Sequence, residues 1–299
     1  MTTSGGLAGL AGGGGAYRRG TLGRMIRVAG VQMDPQIGDV AGNLSRCLDG
    51  VERAVAAGAQ LVVFPEAALT GYVYGGREEA LVKAETIPGP STDALADACR
   101  RTGAYVAVGL LEKDGDRLYN ASALVGPEGL VGKYRKLHLP YLGVDRFVDP
   151  GDIAPAVYET AIGRIGLAIC YDLDFPEYAR VLALMGAQII VTVTNWPDDI
   201  EFVPDFVVQT RARENIVNLV AVNRAGVECG VRFIGRSMVV DPKGNVLAEG
   251  AHFEEDFILA DIDPEAADQK RKVVRPGELE VDMLKDRRPE YYGRLIGEW

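Results

Sequence analysis

Three side chains placed where strand-like runs end carry groups that together could attack a carbonyl carbon. Glu66 follows Val62-Val63-Phe64-Pro65, Lys136 lies within Lys133-Tyr134-Arg135-Lys136-Leu137-His138-Leu139-Pro140, and Cys170 closes Gly166-Leu167-Ala168-Ile169-Cys170. A thiol becomes a strong nucleophile when a neighbouring base removes its proton and a cation stabilises the thiolate. A carboxylate and an ammonium group could fill those two roles. Taken one at a time, each residue also has a purely structural reading. A strand-end Cys is usually a small buried hydrophobe, a Glu after Pro is a charge at a helix start, and a Lys in a basic run belongs to a solvated face. Only His138 and His252 supply imidazoles, so chemistry built on a His base has few candidates.

Such groups need a sheet to hold them, because sites in open α/β sheets gather beyond the carboxyl ends of the strands. Residues 26–31 read as a first strand. Val40, Leu44, Cys47, Leu48, Val51 and Val55 then recur at three- and four-residue spacing, which describes an amphipathic helix. Residues 61–64 form a short buried strand, so the unit is strand, helix, parallel strand. Residues 92–102 read as a helix and 105–110, 118–125 and 130–134 as strands, the last two joined by the turn Gly126-Pro127-Glu128-Gly129. The second half resembles the first: strand 164–169, helix 176–185, strand 188–193, helix 203–215 with Pro204 in its first turn, strand 219–222, and a hairpin about Asp241-Pro242-Lys243-Gly244. From Pro264 onward the chain is charged and partly helical, with Tyr291, Tyr292 and Trp299 suited to an arm that packs against another subunit. Helices over apolar, mixed-direction strands make an α/β fold. Two such halves joined sheet against sheet give a four-layer αββα sandwich, and a doubly wound three-layer fold is the alternative.

Composition narrows the function. The 299 residues are 47% apolar and carry a formal charge of −10, spread along the chain, which disfavours nucleic acid or an anionic membrane as partner. The partner is expected to be a small molecule or a second copy of the chain. Cys47, Cys99, Cys170 and Cys229 form no CxxC pair, which argues against a disulfide framework and fits a reducing, cytoplasmic setting. Residues 1–24 are glycine-rich and lack an apolar core segment, so they read as a disordered extension before a single domain over 25–299.

Taken together, Phe64-Pro65-Glu66, the block 133–140 and Cys170-Tyr171-Asp172-Leu173-Asp174-Phe175-Pro176-Glu177 resemble, in order and spacing, the three motif blocks of the nitrilase (carbon-nitrogen hydrolase) superfamily. The likeness runs over residues 26–293 and takes in Asn195-Trp196-Pro197, Thr210-Arg211-Ala212-Arg213-Glu214-Asn215 and Gly235-Arg236-Ser237. It implies the αββα sandwich rather than three layers, assembly into homodimers or larger homo-oligomers, neither metal nor organic cofactor, and a Glu-Lys-Cys triad on Glu66, Lys136 and Cys170. In that triad Glu66 is the base, while Lys136 and the N–H of Tyr171 face the oxyanion, donors of this kind each contributing about 3 kcal/mol. Many members carry a further Glu after the lysine block. Here the nearest acid is Asp145, expected to orient Lys136 or a substrate nitrogen, with an ion pair to Arg146 as the structural alternative. His138 would face the same way as Lys136 by strand alternation, but no direct chemistry is assigned to it.

The stretch after the thiol speaks to the substrate. Asp174 stands where omega-amidases carry an arginine, so an anionic substrate would lose its bidentate partner and meet repulsion. Asp198, Asp199, Glu201 and Asp205 follow Trp196 and either favour cations or form a solvated loop. Asn195 and Trp196 end a buried strand and are assigned to the pocket, the ring serving as an apolar wall or an ammonium face; core packing is their alternative. The expectation is an amidase that converts a small aliphatic carboxamide, amine-bearing ones such as 5-aminopentanamide included, to carboxylic acid and ammonia through a Cys thioester. The alternatives are an N-carbamoyl-amine hydrolase, a nitrilase, or a catalytically silent interaction subunit.

Overall fold

The computed structural model describes residues 24–297. The expected disordered extension, residues 1–24, lies outside the described residues except for Arg24, and so does Trp299. In chain order the strands are β1 (Ile26–Gln32), β2 (Leu61–Val63), β3 (Tyr105–Asp114), β4 (Arg117–Gly126), β5 (Gly129–Arg135), β6 (Val157–Thr160), β7 (Gly163–Ile169), β8 (Ile189–Thr194), β9 (Asn218–Asn223), β10 (Val227–Glu228), β11 (Val231–Arg232), β12 (Met238–Val240), β13 (Val246–Glu249), β14 (Asp256–Ile262), β15 (Arg271–Arg275) and β16 (Leu279–Asp282). The helices are α1 (Val40–Ala56), α2 (Arg77–Lys83), α3 (Pro90–Thr102), α4 (Pro176–Leu184) and α5 (Val208–Asn215).

Two six-stranded sheets carry the fold, one in the order β14-β1-β2-β3-β4-β5 and the other β13-β12-β9-β8-β7-β6. Each has a parallel centre, β1-β2-β3 or β7-β8-β9, flanked by antiparallel strands. Period-two side chains sort the faces. Leu61 and Val63 of β2 join Ile165, Leu167 and Ile169 of β7 in the core between the sheets, whereas Val62 packs with Cys47 and Val51 of α1 and Leu95 and Cys99 of α3. At Gly166 a Cβ would touch Leu182 of α4, so the alternate face of β7 meets its own helix. Helices outside and sheets face to face make the mixed αββα sandwich. α1 begins where the Asp39 side chain accepts from the Gly42 N–H at 3.0 Å, a helix N-cap of the usual kind.

The structure departs from the pattern reading at several places. Residues 203–215 form a wide turn at Val203–Val207 and only then the helix α5. From Pro264 onward there is no α-helix among the described residues. Pro264 and Pro289 open single 3₁₀ turns, and alternating residues of β15 and β16 pair as a hairpin around Gly277 at φ +72°. Strand β14 closes the first sheet beside β1 from the far end of the chain, burying Ile258, Ala260 and Ile262 and leaving Leu259 and Asp261 outward. No helix among the described residues is long and apolar enough to cross a membrane.

Candidate active site

Glu66 sits in the turn after β2, pressed against β3. A Cβ on Gly109 would come within 2.5 Å of the Glu66 Cα and of the Ala67 backbone nitrogen, so only glycine lets the strand pass there. Lys136 follows β5, its N–H bonded to the Asn120 carbonyl at 2.9 Å and its carbonyl to the Gly151 N–H at 2.9 Å. Cys170 follows β7 as the first residue of a 3₁₀ turn, Cys170–Asp174, with φ +44°. That left-handed conformation costs a non-glycine residue roughly 1–3 kcal/mol and persists only when the surroundings enforce it.

These three turns converge at one end of the sheets. Lys136 Nζ donates to Glu66 Oε1 at 2.7 Å and to Asp145 Oδ2 at 2.6 Å, with all three side chains fully buried. Asn120 Nδ2 bridges the same carboxylates, at 2.6 Å to Glu66 Oε1 and 2.8 Å to Asp145 Oδ1. The Tyr72 hydroxyl donates to Asp145 Oδ2 at 2.8 Å. Glu66 Oε2 is buried and has no hydrogen-bond partner among the described residues. Cys170 lies within electrostatic reach of Glu66, Lys136 and Asp145, and the Asn195 backbone N–H favours its ionised form. At 7% exposure against 0% for Glu66 and 1% for Lys136, it is the most accessible of the three.

The electrostatics follow from this packing. Burial raises the Glu66 carboxyl above the ordinary carboxylate range; the Lys136 charge opposes that rise and Asp145 adds to it. Burial opposes the charge on Lys136, yet the two carboxylates outweigh it and hold the ammonium form well above the usual lysine range. Burial, then Glu66, keeps the Cys170 thiol protonated at rest. The site therefore holds a permanent cation, a reluctant acid and a carboxylate ready to gain a proton. Among the described residues no group of three or more His, Cys, Asp or Glu side chains could hold a metal ion.

The remaining expected site residues are distributed unevenly. Asp145 bonds Lys136, while Arg146 turns instead to the carbonyls of Gly143 and Tyr74. Tyr171 is the second residue of the Cys170 turn, where backbone N–H groups have no partner within the turn. Asn195 is buried with both side-chain polar atoms unpartnered among the described residues, and Trp196 is buried with its backbone N–H on Asn223 Oδ1 at 2.7 Å. Asp174 is exposed and has the Arg211 guanidinium beside it. Asp198, Asp199 and Asp205 are also exposed, Asp205 pairing with Arg236. His138 turns from the triad, stacking on Phe175 at 3.8 Å with Nδ1 on Asp172. Asn120 and Tyr72 escaped the reading of the sequence. The one signal for Asn120 is a polar residue inside the apolar strand β4, which burial makes costly unless it is paired.

Residues 27–272 match the carbon-nitrogen hydrolase family. The chain belongs to that family. It is an enzyme of the nitrilase superfamily that hydrolyses carbon-nitrogen bonds other than peptide bonds. It is 42% identical over 271 residues to a nitrilase of Pyrococcus abyssi, covering 90% of this chain and all of the relative. It is 38% identical over 268 residues to an (R)-stereoselective amidase of a Pseudomonas species, covering 89% of each. Among solved structures, an amidase from Nesterenkonia sp. superposes with a TM-score of 0.74 at 27% identity, over 90% of this chain and 96% of that one. A mutant of the amidase from Nesterenkonia sp. AN1, with a TM-score of 0.75 at 26% identity over 90% of this carbon-nitrogen hydrolase and 97% of that chain, carries the acetamide moiety of fluoroacetamide covalently added at the active site cysteine.

Proposed function

We propose that this hydrolase is an amidase that converts a small aliphatic carboxamide to carboxylic acid and ammonia through a thioester on Cys170. The observation that carries this reading is the unpaired, buried Oε2 of Glu66 beside a protonated thiol, with the other carboxylate oxygen anchored by Lys136. The sulfur attacks the amide carbon as its proton passes to Glu66, so a thiolate never has to exist free in the buried site. Lys136 and the Tyr171 N–H stabilise the oxyanion. Glu66 then gives the proton to the departing ammonia, leaving the thioester. Water attacks that carbon, its proton passing to Glu66, and collapse returns the proton to the sulfur as the acid leaves. Asp145, Asn120 and Tyr72 keep Lys136 charged and in place.

An amide offers two N–H donors and a carbonyl acceptor, the complement of the free Glu66 oxygen and of the unpartnered Asn195 amide. In this reading Trp196 walls the acyl chain. Asp174 lies outside that enclosure with its charge offset by Arg211, so neutral amides are preferred over amine-bearing ones. The similarity to the Pseudomonas and Nesterenkonia amidases supports the same class of substrate. Residues 25–297 work as one catalytic domain, since Glu66 and Lys136 come from one sheet and Cys170 from the other. The exposed apolar side chains of Val181 and Leu184 on α4, Met185 just after it, and Phe202 and Phe206 before α5 support self-association, which light scattering checks.

The deciding experiment measures ammonia release from a panel of aliphatic amides, amino-amides, dicarboxylic monoamides, carbamoyl-amines and nitriles. Aliphatic amides are expected to lead. Carbamoyl-amines or nitriles turned over ahead of every amide would overturn the reading, as would an acyl adduct absent from Cys170 in intact-protein mass spectra.

A further inference from the structure

Asp172, two residues beyond the thiol, is fully buried and takes no part in the chemistry above. Its carboxylate reaches two separate segments. Oδ2 accepts from the Ile169 N–H at 2.9 Å, which closes the strained turn holding Cys170, and from the Tyr134 hydroxyl at 2.9 Å. Oδ1 accepts from the His138 N–H at 3.3 Å and lies 2.7 Å from His138 Nδ1, the ring nitrogen that therefore carries the proton. Tyr134 in turn accepts from the Leu137 N–H at 3.1 Å. Every residue that Asp172 holds on this side, directly or through Tyr134, is within two positions of Lys136. Burial first, and then the Asp172 charge, keep the Tyr134 hydroxyl far from ionising, so it stays a donor. The His138 ring is pinned between Phe175 and the edge of Tyr178.

We propose that Asp172 is a positioning residue that sets the thiol turn and the Lys136 segment in register, with Tyr134 and His138 as its two arms. The two segments belong to facing sheets, and no backbone hydrogen bond ladder joins β5 to β7. A buried carboxylate with four charge-assisted contacts supplies that link. The inference rests on Cys170 being the nucleophile.

Asp172→Asn keeps the size but turns an NH₂ group toward the donors of one segment or the other. Expected is a fall of about tenfold or more in kcat for butyramide with KM changed less than about threefold, since sub-ångström misplacement acts on the reacting geometry rather than on ground-state binding. Labelling of Cys170 by acrylamide, followed by intact mass, should slow in step. Tyr134→Phe, which removes one arm and unpairs the Leu137 N–H, should show the same split with a smaller loss; it decides the matter if Asp172→Asn fails to fold. A kcat and labelling rate within twofold of wild type in folded variants overturns the proposal, as does a loss that merely tracks the folded fraction. Cys170→Ala run alongside separates the two ideas: a fully active Cys170→Ala removes the thioester reading and this proposal with it. An inactive Cys170→Ala beside an unimpaired Asp172→Asn overturns the positioning role alone.

Discussion

Cys47 and Cys99 on one side of the molecule and Cys170 on the other are all buried thiols, and burial makes all three reluctant to ionise. It pushes Cys47 and Cys99 up to about 12. Cys47 packs against the Met33 sulfur and Cys99 against the Val125 carbonyl, in the layer between the helices and the first sheet. Cys170 is raised as well, yet it occupies a strained turn with Glu66, Lys136 and the Asn195 N–H around it. Burial alone therefore yields an inert thiol. What distinguishes Cys170 is a neighbouring carboxylate with an unpartnered oxygen and a cation held charged by two carboxylates, the setting that the proposed proton transfer requires.

The contrast breaks most sharply at the sulfur. Cys170→Ala should lower ammonia release by about 10⁴-fold or more, measured by coupled ammonia assay; a residual rate near wild type would erase the distinction. Replacing the cation, as Lys136→Met, should cost about 10³-fold in kcat, and by leaving two buried carboxylates facing each other should lower the thermal midpoint as well.

Subtler is the tuning of the base. Because the Glu66 carboxyl is raised, the acid limb of kcat/KM should lie above the ordinary glutamate value of about 4.3, activity rising with pH as Glu66 loses its proton. Asp145 contributes to that rise, so Asp145→Asn should move the limb to lower pH while reducing kcat about tenfold through a looser Lys136; an unmoved limb would assign it to another group. Smaller still, Gly109→Ala should cost about 1–3 kcal/mol of stability by crowding the Glu66 backbone, with a loss of kcat at unchanged KM. At the far end, Cys99→Ala should lose about 1 kcal/mol, the worth of a small buried group, with activity intact by the same assay. Any activity loss there would place Cys99 in the chemistry.

The legible part of the candidate site was local. Glu66, Lys136 and Cys170 each follow a strand and sit in their own motif block, so a few neighbouring residues encode both the turn and the functional group it presents. Helix α1 and the parallel centres of the sheets were readable for the same reason, since period 3.6 and period 2 are short-range signals. From residue 264 onward the expected partly helical stretch reduces to short 3₁₀ turns, and the charged, weakly alternating residues 271–282 pair with each other as a hairpin. Strand β14 does alternate, but its value lies in pairing with β1 across most of the chain.

By itself the sequence determined the residue types, their order and the strand ends that carry them, and with those the three candidates for nucleophile, base and cation. Tertiary structure alone decided who touches whom. It put Asp145 on Lys136 instead of Arg146, brought Asn120 to Glu66 from 54 positions away and Tyr72 to Asp145 from 73, left Asp174 at the surface, and gave Asp172 two segments to hold. The reason is physical. Backbone propensities act over a few residues, whereas the cost of burying a charge is settled by whichever partners the packed sheets bring within hydrogen-bonding distance.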